Sequence, residues 1–405
     1  MMKRVFCAAL VAALFGQAAI AASWNPYAKP ADEFEQRLDD AAFGVPGADR
    51  AFQDWLAAHP ELALARRMQG YDQLCRDYGN LGWNKIRAGV CAEYARLKKA
   101  ESGDDDEGTA AVFADQPPVR AVGSAKVPLT WNRFGCQSIE VTVNGVTSSW
   151  FVDTGAEITV LTRSLADRMG VRRLGTGVRV GTTTSDVSGK AGIIDRLRIG
   201  SAYVENVPVL ILPDAQLKPA NMPRIDGILG LQVMVAFGRI AWVDGSSELA
   251  LGETAPKARP DAPRIYWDDE GVGVPVRTSR GILGAFLDTG ANVTDWRQAG
   301  FSLVDPRLMA AATERMTHVG GAGGVVELKQ RELQHFRFDL GDQPVQLDRM
   351  PLAESKKSSA AKIGMDIISQ FGTFILDFEQ MRMDGILKTG DGREAARKAG
   401  PALTD

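Results

Sequence analysis

Two aspartates, Asp153 and Asp288, open the same four-residue phrase, Asp-Thr-Gly-Ala. Each follows an apolar run, Trp150-Phe151-Val152 before the first and Ala285-Phe286-Leu287 before the second. A buried strand that ends in Asp delivers its carboxyl into a partly dry setting. Two carboxyls brought close together share one proton, because like charges at short range cannot both ionise cheaply. The ionised member can take a proton from a water while the protonated member gives one to a carbonyl oxygen, with no covalent adduct. Such a pair titrates as a unit, so neither Asp is assigned the acid or the base from sequence. An acidic or mildly acidic optimum follows.

The neighbours suit that task. Gly155 and Gly290 let each turn approach another backbone closely. Thr154 and Thr289 each offer a hydroxyl to the opposite loop, and Ala156 and Ala291 leave the site uncrowded. One such phrase alone would read as an ordinary turn. Two behind matched elements read differently. Ile139 to Val143 leads through Asn144-Gly145 into Val146 to Val152, and an Asn-Gly pair between alternating strands marks a two-residue hairpin. Val272 to Val276 leads through a turn near Arg280-Gly281 into Ile282 to Leu287. Ile228-Leu229-Gly230 and Lys362-Ile363-Gly364 then follow their aspartates at nearly equal distance. A chain duplicated in this way predicts two lobes related by a pseudo-twofold axis.

Both halves resemble retropepsin-like aspartic proteases in the apolar strand, the Asp-Thr-Gly-Ala loop and the later apolar-apolar-Gly. The Ala after Gly is more similar to the retroviral enzymes than to pepsin-like ones, where Ser is usual. The fusion of two lobes in one chain is similar to pepsin. The resemblance covers about residues 120–388. It implies a mainly β fold of two β-barrel lobes, with Asp153 and Asp288 catalytic and a peptide or protein substrate. It also implies a cross-lobe bond pair at Thr154 and Thr289, and packing of Ile228, Leu229, Gly230, Ile363 and Gly364 beneath the loops. A monomer suffices for such a site. Lys362 departs from the apolar pattern, and Ala360-Ala361 replaces Asp226-Gly227, which puts the packing of the second lobe in question. Flaps are expected at Gly181-Thr182-Thr183 and at Gly320, Gly321 and Gly323, where Gly-bearing hairpins could cover a substrate.

The texture of the chain sets the remaining boundaries. Lys3 and Arg4, an apolar run from Val5 to Phe15 and Ala19-Ile20-Ala21 form a secretory pattern, so residues 1–22 are read as a signal peptide and the protein as exported, to the periplasm. Residues 23–100 carry apolar residues at helical spacing, as in Phe52, Trp55 and Leu56, and predict short helices. Residues 101–118 are acidic and then Pro-bearing, a linker. Lobe 1 is placed at 119–252, a Pro-rich interlobe linker at 253–264, lobe 2 at 265–390 and a tail at 391–405.

Composition narrows the partners. The formal net charge is −3, with scattered basic residues, so no nucleic-acid partner is expected. No segment after the leader is long and apolar enough to span a bilayer. The three histidines are far apart and no CxxC occurs, so neither a metal nor another cofactor is expected. Cys75 and Cys91 share one short helical region and are paired on that ground, with Cys136 left as a buried thiol. Spacing alone leaves the other two pairings open. No G-x-S-x-G occurs, and no convincing Ser-His-Asp arrangement. Two rival readings remain. One is a peptide-binding module that kept the fold without catalysis. In the other, the helical region is a docking domain or inhibitory propiece.

Overall fold

The computed structural model describes residues 24–102, 110–132, 135–181, 186–217, 225–321, 324–355 and 357–388. The leader and the tail assigned from sequence lie outside the described residues.

The helical region holds four helices, α1 (Glu33–Ala42), α2 (Ala48–Ala58), α3 (Leu64–Asn80) and α4 (Asn84–Ser102). Asp32 caps α1 by accepting from the Glu35 amide, which satisfies one of the free amides of the first turn. Phe34 and Leu38, Phe52 and Leu56, Leu74 and Tyr78, and Val90 and Leu97 bury one stripe of each helix in a common core. Cys75 and Cys91 form a disulfide that joins α3 to α4. Cys136 is free and buried.

Lobe 1 is a ring of six strands. Gln137–Val143 pairs with Val146–Val152 around Asn144-Gly145. Both turn residues have positive φ, at 49° and 80°, which a type I′ turn requires. The ring continues from Val146–Val152 to Gly227–Leu229, Thr159–Thr162, Ala202–Leu212 and Asp186–Ile199, and returns to Gln137–Val143. Lobe 2 repeats it through Gly271–Thr278, Gly281–Leu287, Ala361–Ile363, Asp295–Arg297, Gln343–Ala353 and Gly324–Leu340. Among the described residues, each ring closes by pairing its first strand with its last.

A third, five-stranded sheet ties the lobes together. Its order is Ala125–Pro128, Glu248–Leu251, Arg239–Val243, Phe371–Asp377 and Arg382–Leu387. Arg239–Val243 of the first half pairs directly with Phe371–Asp377 of the second. One continuous apolar core runs through both lobes and this sheet, and includes Trp150, Trp242, Trp267 and Trp296.

Two segments read as linkers are held more firmly than their composition suggests. In 253–264, Ala255, Ala258 and Ala262 are buried, and Arg259 pairs with Asp384 and Asp342. In 101–118, α4 continues to Ser102, residues 103–109 lie outside the described residues, and Ala110–Phe113 forms a 3-10 turn. Phe113 is buried in an apolar cluster of lobe 1 with Val178, Leu210 and Leu212. Tertiary contacts thus hold 253–264 and the Ala110–Phe113 turn in place. The helical region touches both lobes. Gln232 donates to the Gly79 carbonyl at 2.7 Å, and Gln73 to that of Trp267 at 2.9 Å.

Candidate active site

Each Asp-Thr-Gly loop leaves the end of a ring strand and rests on the apolar-Gly segment of its own lobe. The Asp153 amide donates to Leu229 O at 3.1 Å, and the Asp288 amide to Ile363 O at 2.9 Å. Leu231 N then donates to Ala156 O at 2.7 Å, and Met365 N to Ala291 O at 2.8 Å. Glycine is required at the contact. A Cβ on Gly230 would lie 2.6 Å from the Ile158 carbonyl carbon, and one on Gly364 would lie 2.9 Å from Ala291 O.

The two loops meet at the lobe interface. Thr154 Oγ1 donates to Leu287 O at 2.7 Å and accepts from the Thr289 amide at 3.0 Å. Thr289 Oγ1 donates to Val152 O at 2.9 Å and accepts from the Thr154 amide at 3.0 Å. Both threonines are buried, so four bonds cross the interface out of water. Charge repulsion between the lobes is thus opposed by a neutral, fully paired lattice.

That lattice brings Asp153 and Asp288 side by side. A Cβ on Gly290 would stand 2.5 Å from either carboxyl oxygen of Asp153. A Cβ on Gly155 would stand 2.7 Å from Asp288 Oδ1 and 3.2 Å from Asp153 Oδ1. The Gly155 amide donates to Asp153 Oδ1 at 2.8 Å, and the Gly290 amide to Asp288 Oδ1 at 3.0 Å. Burial pushes Asp153 up to about 8, and the neighbouring Asp288 adds to the shift. Burial also raises Asp288, but the Lys362 ammonium pulls it back. The arrangement can hold one proton between two acids at neutral pH.

The model of the aspartyl protease family matches residues 139–233, from the first hairpin to the short helix beneath the Asp153 loop. No curated relative matches the chain. Lobe 2 repeats the ring of lobe 1 strand for strand. The chain has the two-lobed fold of a retropepsin-like aspartic protease. The family match supports a protease role.

In these retropepsin-like lobes the expected flaps fall at the tips of two hairpins, Arg172–Gly181 with Asp186–Ile199 and Thr313–Gly321 with Gly324–Leu340. Gly181, Gly320 and Gly321 end strands, while Thr182, Thr183 and Gly323 lie outside the described residues. Cys136, distant in sequence from both loops, directs its thiol at Gly290 O at 3.2 Å. Burial and the two carboxyls push that thiol up to about 12, so it is neutral.

The doubt over lobe 2 packing resolves by paired changes. Trp150 sits over Gly227, whose Cβ would lie 2.6 Å from the indole. The matching strand of lobe 2 has Ala285, and Ala361 replaces the glycine; both are fully buried. Lys362 meets Asp295 on the adjacent strand, with Nζ 3.2 Å from Oδ2. Two contacts were not foreseen from sequence. Arg87 of α4, buried, pairs with Glu157 just after the first loop. Asp366, beneath the second loop, accepts from Thr294 N at 3.0 Å and from Thr294 Oγ1 at 2.5 Å.

Among the described residues, no helix is long and apolar enough to cross a membrane. Three acidic groups, Asp268, Asp269 and Glu270, lie close together. Their surroundings suit protein contacts better than a cation. Tyr266 Oη donates to Asp268 at 2.7 Å, and Arg297 pairs with Glu270.

Proposed function

We propose that the chain is an aspartic endopeptidase that hydrolyses internal peptide bonds with a water activated between Asp153 and Asp288. The observation that carries this reading is the pair of matched loops, which the crossed Thr154 and Thr289 bonds hold together so that both carboxyls flank Gly155. The ionised member takes the water's proton as the oxygen attacks the scissile carbonyl carbon. The protonated member gives its proton to the carbonyl oxygen, and a tetrahedral diol results. Collapse of the diol expels the amine, which is protonated in the same step. An extended peptide would lie beneath the two hairpins and pair with them as an added strand. Because one chain supplies both acids, a monomer is enough. The secretory pattern of residues 1–22 supports export and a periplasmic location.

The test is cleavage of an unfolded protein across pH 3 to 8, with and without pepstatin. Asp153→Asn and Asp288→Asn should each abolish cleavage. A wild-type protein that cleaves nothing overturns the reading and leaves the peptide-binding module. Cleavage that survives either substitution overturns the dyad.

A second reading adds regulation by the helical region. It is favoured by the Arg87–Glu157 pair beside the first loop and by Phe113, which shares an apolar cluster with Ile158, Val160 and Ile228. Sequencing the N-terminus of protein recovered from cells separates two forms of it. A start near residue 22 marks a retained domain, and one near residue 115 a removed propiece.

A further inference from the structure

The two lobes differ most sharply at one pair of matched positions. In lobe 1, Ile228 stands opposite Val160 on the neighbouring strand and beside Phe151 on the other. Ile228 and Val160 both join an apolar cluster. In lobe 2 the same registers carry Lys362 opposite Asp295, with Phe286 on the other side. The duplication has therefore exchanged two apolar side chains for an ammonium and a carboxylate together. The exchange lies one residue from Ile363, whose carbonyl accepts the Asp288 amide at 2.9 Å.

A half-buried ion pair in place of two apolar residues is not needed for packing, since lobe 1 packs without it. Its placement has an electrical effect instead. The groups around it are accounted for. Arg297, on the Asp295 strand, has Nε 3.5 Å from Asp295 Oδ1 and is taken up by Glu270. Asp366, from the short helix after Gly364, is bonded to Thr294. The Cys136 thiol, from lobe 1, is neutral. Glu157, beyond the first loop, is answered by Arg87. Among the described residues, the Lys362 ammonium is thus the cation that acts on Asp288, and the matched lobe 1 position holds Ile228. Burial opposes the Lys362 charge, but Asp295 and then Asp288 outweigh it.

We propose that Lys362, seated by Asp295, is a positioning residue that makes the two carboxyls unequal, keeping the negative charge on Asp288 and leaving the shared proton on Asp153. Asp288 is then the group that takes the proton from water, and Asp153 the one that donates to the carbonyl oxygen. In the following step the protons return by the same two groups, so the enzyme ends as it began. This inference rests on the dyad reading above.

The test compares pH profiles of kcat/KM for wild type, Lys362→Met, Lys362→Arg and the double variant Lys362→Ile with Asp295→Val, which rebuilds the lobe 1 pair. A nearby cation lowers the pH at which a carboxyl ionises. Loss of Lys362 should therefore move the acidic limb toward neutral by ~1 pH unit. Lys362→Arg should keep the wild-type limb, and the double variant should shift in the same direction but less, since Asp295 goes too. If Lys362→Met does not fold, the double variant carries the measurement. Coincident limbs in a wild type that cleaves, and that Asp153→Asn and Asp288→Asn silence, overturn the inference while sparing the dyad. No cleavage by wild type overturns both.

Discussion

Asp153 resists ionising until about pH 8 because it is buried against another carboxyl. A carboxyl raised in the folded state favours folding while it stays protonated. Its contribution is fullest below the ordinary carboxylate value of about 4, and it is lost as pH climbs through that value toward 8. Asp153→Asn should therefore melt ~2–4 °C above wild type at pH 7 and level with it at pH 3.5, by calorimetry, while cleavage is lost. A variant that melts lower at pH 7 would contradict the strain assigned to the pair. Thr154→Ala tests the opposite kind of group. It removes a buried donor to Leu287 O and the acceptor for the Thr289 amide. Denaturant unfolding should show a loss of about 2 kcal/mol, since two partners are left unpaired out of water. The loops and their aspartates were legible because each is a contiguous phrase. Lys362 was legible as a departure from pattern. Asp295 was not, because only strand register reveals which side chain faces it.

Hairpins and helices carry their own instructions, and the sequence displayed them. Asn144-Gly145 needs only its neighbours to turn, and the stripe through Phe52 and Leu56 needs only helical period. Closure of the rings depends on strands far apart in the chain, and no local pattern announces it. The same holds for Phe113, whose segment reads as spacer until its partners Leu210 and Leu212 are in place. Phe113→Ala should release this turn from lobe 1. If the turn obstructs the cleft, peptide cleavage should rise severalfold in the full-length protein; an unchanged rate would assign Phe113 to packing alone. The disulfide is confined to the helical region. Replacing Cys75 and Cys91 by Ser should weaken that region by ~3 kcal/mol, by the entropy of the loop the bridge closes. Limited proteolysis should then open α3 and α4 faster, with cleavage by the dyad retained.

At the scale of the whole molecule, duplication explains both the likeness and the difference of the lobes. Each half supplies one loop and one ring, the first half gives three strands and the second two to a common sheet, and the pseudo-twofold relation was legible once two matched phrases were seen. The common sheet was not, because its pairing of Arg239–Val243 with Phe371–Asp377 joins segments far apart in the chain. Expressed as separate chains, residues 119–258 and 259–388 should re-associate and recover cleavage on mixing. Persistently separate halves in sedimentation would show that covalent connection is needed.

The strand pairing across the midline has a practical corollary for durability. A cut between Glu253 and Arg264 would not part the molecule, since Arg239–Val243 would still pair with Phe371–Asp377 of the far half. Resistance to digestion in a hostile milieu would then depend less on hiding every exposed bend than on a woven midline that outlasts the cut.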